Sequence, residues 1–447
     1  MSKTPKRLMS LDAYRGLVML AMASGGFAFV QVAPKVADRF DGTSGEGAWR
    51  FLWRTLAYQF DHVAWTGCSF WDLIQPSFMF MVGVAMPFSM QRRADDGESP
   101  TRRWFHAGYR AVLLVFLGVL LSSSLSGLNF TFVNVLAQIG LGYLFLLPLV
   151  GRNLKTLAVT AALILVTYGA WFVYQPIDQP QKFQTQQYVM SESKNRTPDE
   201  WSQFQGHAAH WNKHTNAAAQ FDREFLNKFP RPEKPWSGRA FWINAGGYQT
   251  LNFIPSIATM IFGLMAGIVL KGDRDESQRL RWLFKAGLVC FVVSLAADST
   301  LWPVQWLKPA WQTKIADFSW SLCPAVKRIW TPTWALFSGG WAFWILGAFY
   351  WLVDVKGYQK IVMPLAVVGI NSIAMYCLSQ LFRGWIGGAI KIVLTTIDQF
   401  AGWQAGLSFW LDPDRWAYAP ILDNALRLAV LWGVCLWLYR SRLFIRL

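Results

Sequence analysis

The stretch NFIPSIATMIFGLMAGIVL, residues 252–270, carries no charged side chain over its whole length. A helix of about 20 apolar residues is long enough to cross the roughly 30 Å of hydrocarbon in a bilayer. Within it, the small residues of GLMAG, residues 263–267, have the spacing of a helix-packing pattern. The stretch therefore predicts a membrane-spanning helix that packs closely against a neighbouring helix.

Nine further apolar runs of similar length follow the same pattern. They lie at about 11–31, 70–90, 107–126, 131–150, 155–175, 283–302, 333–353, 361–383 and 418–438. The composition agrees, because the 447 residues are 53% hydrophobic and only 15% charged, whereas soluble proteins carry about 25% charged residues. The sequence predicts an all-α fold, a polytopic membrane helix bundle of about ten transmembrane helices.

The positions of lysine and arginine predict the orientation of the bundle. If the N-terminus is cytoplasmic, the inner segments carry nearly three times the density of lysine and arginine found in the outer segments. Cytoplasmic loops of membrane proteins carry such an excess, so both termini are predicted to be cytoplasmic. The net charge of +16 follows from this topology, and no nucleic-acid partner is expected.

One long segment is too polar to lie in the membrane. Residues 176–250 are rich in Gln and Asn, with prolines at both ends, and residues 201–229 have a helical pattern. We therefore divide the chain into a core of spans 1–5 (residues 1–175), an extracytoplasmic insertion that is a candidate lid, and a second core of spans 6–10 (residues 251–447).

The histidines of the insertion and two of the cysteines give only weak indications of special sites. His207, His210 and His214 would share one face of the predicted helix, but no HExxH or cysteine accompanies them. No metal site is expected, and a lid surface that touches polar substrate is favoured. Cys68 and Cys323 fall on the same predicted side, which allows a disulfide that spacing alone does not establish.

Two clusters of polar residues lie at or inside predicted spans, where such groups are costly and often functional. SLDAYRG, residues 10–16, places Asp12 and Arg15 on one helix face, where they could pair. An ion pair that anchors the helix at the inner interface explains them equally well. GINSIAMYCLSQLFRGW contains the adjacent Asn371 and Ser372 inside a span, and hydrogen bonding between helices is the simplest explanation for them.

A third cluster has the residues for acyl chemistry. In FDHVAWTGCSFWDLIQPSFMFMVG, residues 60–83, His62 stands just outside the second span and Asp72 lies near its start. A neutral imidazole can attack a thioester or accept a proton from a nucleophile, and a carboxylate can fix its tautomer. A histidine in a loop is more often simply solvated, so the residues alone leave the role of His62 open.

Several motifs in a consistent order extend these clusters. They are RLMSLDAYRG, the His62-to-Gly83 block with the pattern H-x-x-W-x-G…D-L-I-x-P-x-F-x-F-x-x-G, IWTPTWALFSGG, FYWLVDVKG and VVGINSIAMY. Together they resemble the membrane acetyltransferases related to heparan-α-glucosaminide N-acetyltransferase, which include bacterial relatives of unassigned function. The resemblance covers about residues 7–110 and 328–383, with a weaker match at 246–267.

The resemblance implies an acyltransferase, acting on nitrogen or oxygen, that works across a membrane. Acetyl-CoA is the implied co-substrate on the cytoplasmic side, and an amino sugar or other saccharide is the implied acceptor on the extracytoplasmic side. The catalytic histidine of the family falls at His62, as acetyl carrier or general base. Asp72 and Asn371 are then predicted to orient or stabilise the reacting groups.

The contacts of acetyl-CoA are predicted on the same basis. Arginine pairs with phosphate in bidentate fashion, and Arg15 and Arg110 lie close to the apolar core, so they are the predicted contacts together with Ser372. The more exposed basic residues of the inner loops are explained equally well by the positive-inside rule.

The resemblance also predicts a location, a bacterial inner membrane crossed several times, and leaves a homodimer open. Gly26 and Gln138 stand where animal members carry Asn and Arg, so the acceptor is the least defined part of the prediction. Ten spans and an intramembrane Asp72 would also suit a carrier that moves a polar solute without chemistry. A family member that has lost activity and serves as a scaffold is a third alternative.

Overall fold

The computed structural model describes residues 8–37, 46–123, 128–177, 204–230, 241–302, 320–402 and 406–444. Within these ranges the structure is helical, and extended pairing is limited to two isolated bridges, Thr66 to Val326 and Asp298 to Ser321. The predicted all-α class is confirmed.

The α-helices of the described ranges are numbered in chain order. They are α1 (Met9–Ser24), α2 (Phe29–Ala37), α3 (Glu46–Gln59), α4 (Ile74–Asp95), α5 (Pro100–Ser123), α6 (Val135–Leu146), α7 (Leu154–Tyr174), α8 (Ala217–Phe225), α9 (Phe253–Lys271), α10 (Glu276–Ala297), α11 (Pro332–Phe349), α12 (Gln359–Ile370), α13 (Ser372–Ala401) and α14 (Ala419–Arg440). Short 3₁₀ turns and one π-helical turn, Tyr350–Val355, join or extend several of them.

Eight helical segments in the described ranges are long and apolar enough to cross a membrane. They are Met9–Val36, Trp71–Asp95, Pro100–Ser123, Leu154–Tyr174, Thr250–Lys271, Glu276–Ala297, Pro332–Val355 and Ala419–Arg440. A ninth is present if α12 and α13 together form one span. The molecule is therefore a polytopic membrane helix bundle.

The two remaining predicted spans differ from straight helices of full length. The run at 361–383 is broken at Asn371, where α12 and α13 meet at 69°, and the backbone of Asn371 leaves the helical region with φ −111° and ψ 38°. The run at 131–150 forms the shorter helix Val135–Leu149. It starts late because the side chain of Asn134 accepts the Leu136 amide at 2.9 Å and caps the helix there.

The chain divides into two compact units, and the first contains residues 1–63, 69–74 and 345–447. Here α1 and α12 approach so closely that a Cβ at Gly16 or Gly369 would overlap a backbone carbonyl oxygen of the other helix. The Asp354 carboxylate accepts the Met9 and Ser10 amides at 3.2 and 3.4 Å. It thereby satisfies donors that the first turn of a helix leaves without intrahelical partners.

The second unit contains residues 64–68 and 75–344. In it α4 and α9 cross in contact, because a Cβ at Gly83 would overlap the Met260 carbonyl oxygen. A Cβ at Gly263 or Gly267 would likewise meet the backbone of α4. The packing role predicted for GLMAG is therefore confirmed.

The described part of the insertion belongs to the second unit. The single helix predicted over 201–229 is wrong for residues 204–229, which form a 3₁₀ turn at Gly206–Trp211, then α8, then a second turn at Leu226–Lys228. Asparagine side chains explain the break, since that of Asn216 caps α8 by accepting the Ala219 amide at 3.0 Å. Residues 178–203 and 231–240 lie outside the described ranges, and the three-part domain division stays a prediction.

Candidate functional site

His62 and Asp72, ten residues apart in sequence, form a hydrogen-bonded pair in the first unit. His62 Nδ1 lies 2.7 Å from Asp72 Oδ1. The Asp72 side chain is buried, with 1% of its surface exposed, whereas 37% of the His62 side chain is exposed. The pair thus joins a protected carboxylate to an imidazole that solvent or substrate can reach.

The second carboxylate oxygen of Asp72 is held by the protein. Asp72 Oδ2 accepts the Val63 amide at 3.2 Å, the Ser69 amide at 3.3 Å and the Ser69 hydroxyl at 3.0 Å. The Asp72 amide in turn donates to Ser69 Oγ at 3.3 Å. This reciprocal pattern is a capping box, with Asp in place of the usual Glu. It fixes the carboxylate at the start of the Trp71–Leu73 turn that leads into α4.

Aromatic rings support the segment that carries His62. The ring of Phe60 lies 5.7 Å from that of Phe70 and 6.1 Å from that of Trp71, the two residues that directly precede Asp72. It lies 5.0 Å from the ring of Phe29 in α2. Ring pairs at such distances add to the stability from apolar burial, so Phe60 links the end of α3 to both α2 and the Asp72 turn.

The pairing decides which nitrogen of His62 can react. A carboxylate accepts hydrogen bonds, so Asp72 favours the neutral tautomer with the proton on Nδ1. The lone pair then lies on Nε2, the nitrogen available to attack an electrophile or to take a proton. After protonation the buried carboxylate would also stabilise the imidazolium. The arrangement is suited to nucleophilic or general-base chemistry.

The structure places the other predicted residues of the first unit on two elements. Asn371 is fully buried at the break between α12 and α13, and its Nδ2 donates to the Leu443 carbonyl at 3.2 Å. Ser372 is the half-buried first residue of α13. Asp12 is buried and Arg15 half-buried in α1. The catalytic and donor-binding roles of Asn371, Ser372 and Arg15 stay predictions.

Arg110 lies in α5, in the second unit. Its guanidinium is 5.0 Å from the centre of the Tyr143 ring, and Nη1 lies 3.5 Å from the Tyr143 hydroxyl. A cation over an aromatic face is a stabilising contact by itself. The predicted contact with acetyl-CoA stays a prediction.

The histidines of the insertion and the two cysteines were considered for a metal site and a disulfide. The described residues contain no group of three or more His, Cys, Asp or Glu side chains that could hold a metal. His214 is buried in a left-handed turn, so the three insertion histidines do not share a helical face. Neither Cys68 nor Cys323 is in a disulfide, and burial raises the pKa of the Cys323 thiol to about 12.

Sequence reasoning missed three residues that build the site. Ser69 was detectable, because S-x-x-D before an apolar run is a capping signature. Phe60 was not, because its role depends on rings contributed by other elements. Asp61 also contributes. Its carbonyl, at 2.6 Å, shares the single Ser69 hydroxyl proton with Asp72 Oδ2, and its carboxylate accepts the His62 amide at 2.7 Å.

The comparisons with known proteins identify a distant relative. The chain is 23% identical over 421 residues to human heparan-alpha-glucosaminide N-acetyltransferase, an alignment that includes 86% of this chain and 54% of the human protein. The likeness is distant. The chain spans about half the length of that relative. No family model matches the chain. The similarity supports the resemblance read from the motifs and an acyltransferase interpretation in general terms.

Proposed function

We propose that the protein is a membrane acyltransferase that uses acetyl-CoA and acetylates an amino group of a saccharide. The observation that carries the proposal is the 2.7 Å contact between His62 Nδ1 and Asp72 Oδ1. It leaves Nε2 as the basic nitrogen of a partly exposed ring. The distant similarity to an N-acetyltransferase supports acyl transfer as the reaction.

In the covalent route, His62 Nε2 attacks the carbonyl carbon of the thioester. The C–S bond breaks, and the CoA thiolate leaves and takes up a proton. The acceptor amine then attacks the acetyl-imidazolium, the bond between carbon and Nε2 breaks, and the amine loses a proton. In the direct route the amine attacks the thioester carbonyl while Nε2 takes the amine proton. The C–S bond then breaks, and the CoA thiolate leaves and takes up a proton. Asp72 stabilises the positive imidazolium that both routes form.

The two substrates are proposed to meet from opposite sides of the membrane. Arg15 and Ser372, both in the first unit, are the proposed contacts of the donor, and acetyl-CoA enters from the cytoplasm. The acceptor, an amino sugar, reaches His62 from the extracytoplasmic side of a bacterial inner membrane. Asn371 is the proposed second polar group of the passage.

The test is acetyl transfer by the protein reconstituted in liposomes, with labelled acetyl-CoA and glucosamine. General base or nucleophilic catalysis contributes about 10²–10⁴-fold, so His62→Ala should lose activity by about that factor. His106→Ala in α5 is the matched control and should stay active. Incubation without acceptor separates the routes, because only the covalent one accumulates acetyl-His62. Full activity in His62→Ala would exclude this site.

A carrier without chemistry is the second candidate, and one observation favours it. The 69° bend between α12 and α13 resembles the broken helices at which many transporters bind solutes. A carrier of a polar solute has no need for CoA. Saturable acetyl-CoA binding to the purified protein would therefore reject this candidate, whereas solute exchange without such binding would support it.

A further inference from the structure

The turn between α1 and α2 has an unusual backbone. Gly25, Gly26, Phe27 and Ala28 all have positive φ, at 58°, 67°, 48° and 57°. Residues other than glycine rarely adopt this left-handed region. Such conformations persist where surrounding contacts fix them, often close to a functional site. The contacts that hold Phe27 and Ala28 in place are therefore of interest.

Arg383 of α13 supplies contacts on one side of this turn. Its Nη2 donates to the Ser24 carbonyl at 3.2 Å and to the side-chain oxygen of Asn424. Its guanidinium also lies against Gly25, where any Cβ would overlap it. Ser24 is the last residue of α1, and the final carbonyls of a helix lack intrahelical donors and attract cations. Arg383 thus caps α1 and fills the space beside the turn.

A neighbouring ion pair holds Arg383 in place. Arg427 donates from Nε and Nη2 to the Asp423 carboxylate at 3.1 and 2.5 Å, and from Nη1 to the Arg383 carbonyl at 3.2 Å. Asp423 therefore pairs with Arg427, while Arg383 donates to neutral oxygen atoms. Charged groups in membrane helices are costly and are retained where they have a role. The contacts indicate that the role of Arg383 lies at the end of α1.

The other side of the turn contacts the segment that carries His62. A Cβ at Gly26 would lie 2.6 Å from the Phe60 carbonyl oxygen, and the Phe27 ring lies 6.4 Å from the Phe60 ring. Phe60 is two residues before His62 and also packs against Trp71 beside Asp72. A change in the turn would move Phe60, and Phe60 is joined to both members of the pair.

We propose that Arg383 is a positioning residue for His62. It holds the left-handed turn Gly25–Ala28, the turn holds Phe60, and Phe60 sets the position of His62 relative to Asp72. This proposal depends on the proposed function in one respect, namely that His62 is the residue that reacts. All of these residues belong to the first unit.

The test compares Arg383→Gln with Arg415→Gln. Arg415 is the matched control because it is an exposed arginine of the same unit, paired with Asp412 at 3.2 Å. In Arg383→Gln, kcat should fall between about tenfold and a hundredfold, as expected for a misplacement of about 1 Å, with KM for acetyl-CoA unchanged. Diethyl pyrocarbonate should modify His62 more slowly, because the loss of the Asp72 contact makes Nε2 less nucleophilic. Mass spectrometry reports this rate with His106 as internal reference.

Two further variants test whether a lower kcat in Arg383→Gln reflects a general loss of structure. In Arg383→Ala, millimolar guanidinium chloride should restore part of kcat by refilling the site, an effect that a globally damaged protein would not show. Gly25→Ala should lower kcat in the wild-type background and less in Arg383→Gln, because the overlap with the guanidinium is relieved there while the strain of alanine at positive φ remains.

The outcomes separate this proposal from the proposed function. An unchanged or faster modification of His62 in Arg383→Gln would overturn the positioning role, and so would additive effects of Gly25→Ala and Arg383→Gln. If the wild-type protein transfers no acetyl group but the modification rate falls as expected, the acyltransferase function fails and the positioning role stands.

Discussion

The two carboxylate oxygens of Asp72 have different hydrogen-bond partners. Oδ1 contacts His62, and Oδ2 closes the capping box with Ser69. Asp72→Asn keeps the size of the side chain but replaces one carboxylate oxygen with an NH₂ group. An N–H donor facing His62 Nδ1 disfavours the tautomer that carries its proton on Nδ1 and its lone pair on Nε2. In a serine protease the same kind of change costs about 10⁴-fold in kcat.

We therefore expect Asp72→Asn to lower kcat by at least about 10²-fold, with little effect on the binding of acetyl-CoA. Steady-state kinetics and equilibrium binding on the reconstituted protein measure the two quantities. Asp412→Asn removes a partly exposed carboxylate of the same unit and should have no effect. Equal loss in the two variants would contradict the role of Asp72.

Cys323 allows a prediction about pH. Burial raises its pKa from 9.0 to about 12, so the folded protein keeps the thiol neutral well above pH 9. A hydrophilic maleimide, which reacts with thiolate, should therefore label Cys323 at pH 8 only after unfolding. In the unfolded chain the Cys323 thiol ionises from about pH 9, whereas in the folded protein it ionises only near pH 12. Its contribution to the free energy of unfolding is therefore complete below pH 9 and is lost as the pH rises towards 12. Rapid labelling of the native protein would show that Cys323 is exposed.

At the scale of elements, the contact between α1 and α12 depends on the absence of side chains. A Cβ at Gly369 would overlap the Asp12 carbonyl oxygen. Gly369→Ala should therefore separate the helices and lower the thermal unfolding temperature of the protein in detergent.

Gly388, in the middle of α13, is the matched control because an added Cβ there meets nothing within 4 Å. Gly388→Ala should be neutral or stabilising, by up to about 1 kcal/mol from helix propensity. Equal effects of the two substitutions would show that the contact between α1 and α12 is not limiting for stability.

Hydropathy predicted the presence of the membrane helices more accurately than their ends and breaks. The runs at 70–90 and 252–270 became spans because apolar length is a local property of the sequence. The break at Asn371 was not predictable from one polar pair in an apolar run, because a buried Asn can equally bond a neighbouring helix without bending its own. Amphipathic α3 was missed because its hydropathy is too low for a span.

At the scale of the whole molecule, the predicted orientation constrains the number of crossings. Two cytoplasmic termini require an even number. Among the described helices that number is eight, or ten if the bent pair α12 and α13 and the helix Val135–Leu149 both cross. The latter is about 22 Å long at 1.5 Å per residue, shorter than about 30 Å of hydrocarbon. Crossing by only one of the two would place the termini on opposite sides.

We expect fusions of green fluorescent protein to either terminus to be fluorescent, and fusions of alkaline phosphatase at the same sites to be inactive. A phosphatase inserted after Gly45, before α3 and the His62 segment, should be active, because that segment is predicted to be extracytoplasmic. The opposite pattern at either terminus would overturn the orientation and the proposed direction of acetyl transfer.

The sequence by itself determined the membrane class, because the run at 252–270 and its counterparts are too long and too apolar for any soluble fold. It also supplied His62, Asp72 and Asn371 as candidates through motif resemblance. Only the tertiary structure decided which of them meet. His62 and Asp72 come together through the Ser69 capping box and the rings around Phe60, and Arg383 reaches the end of α1 from 359 residues away. Hydropathy is additive along the chain, whereas these contacts join residues whose proximity depends on how every helix between them folds back.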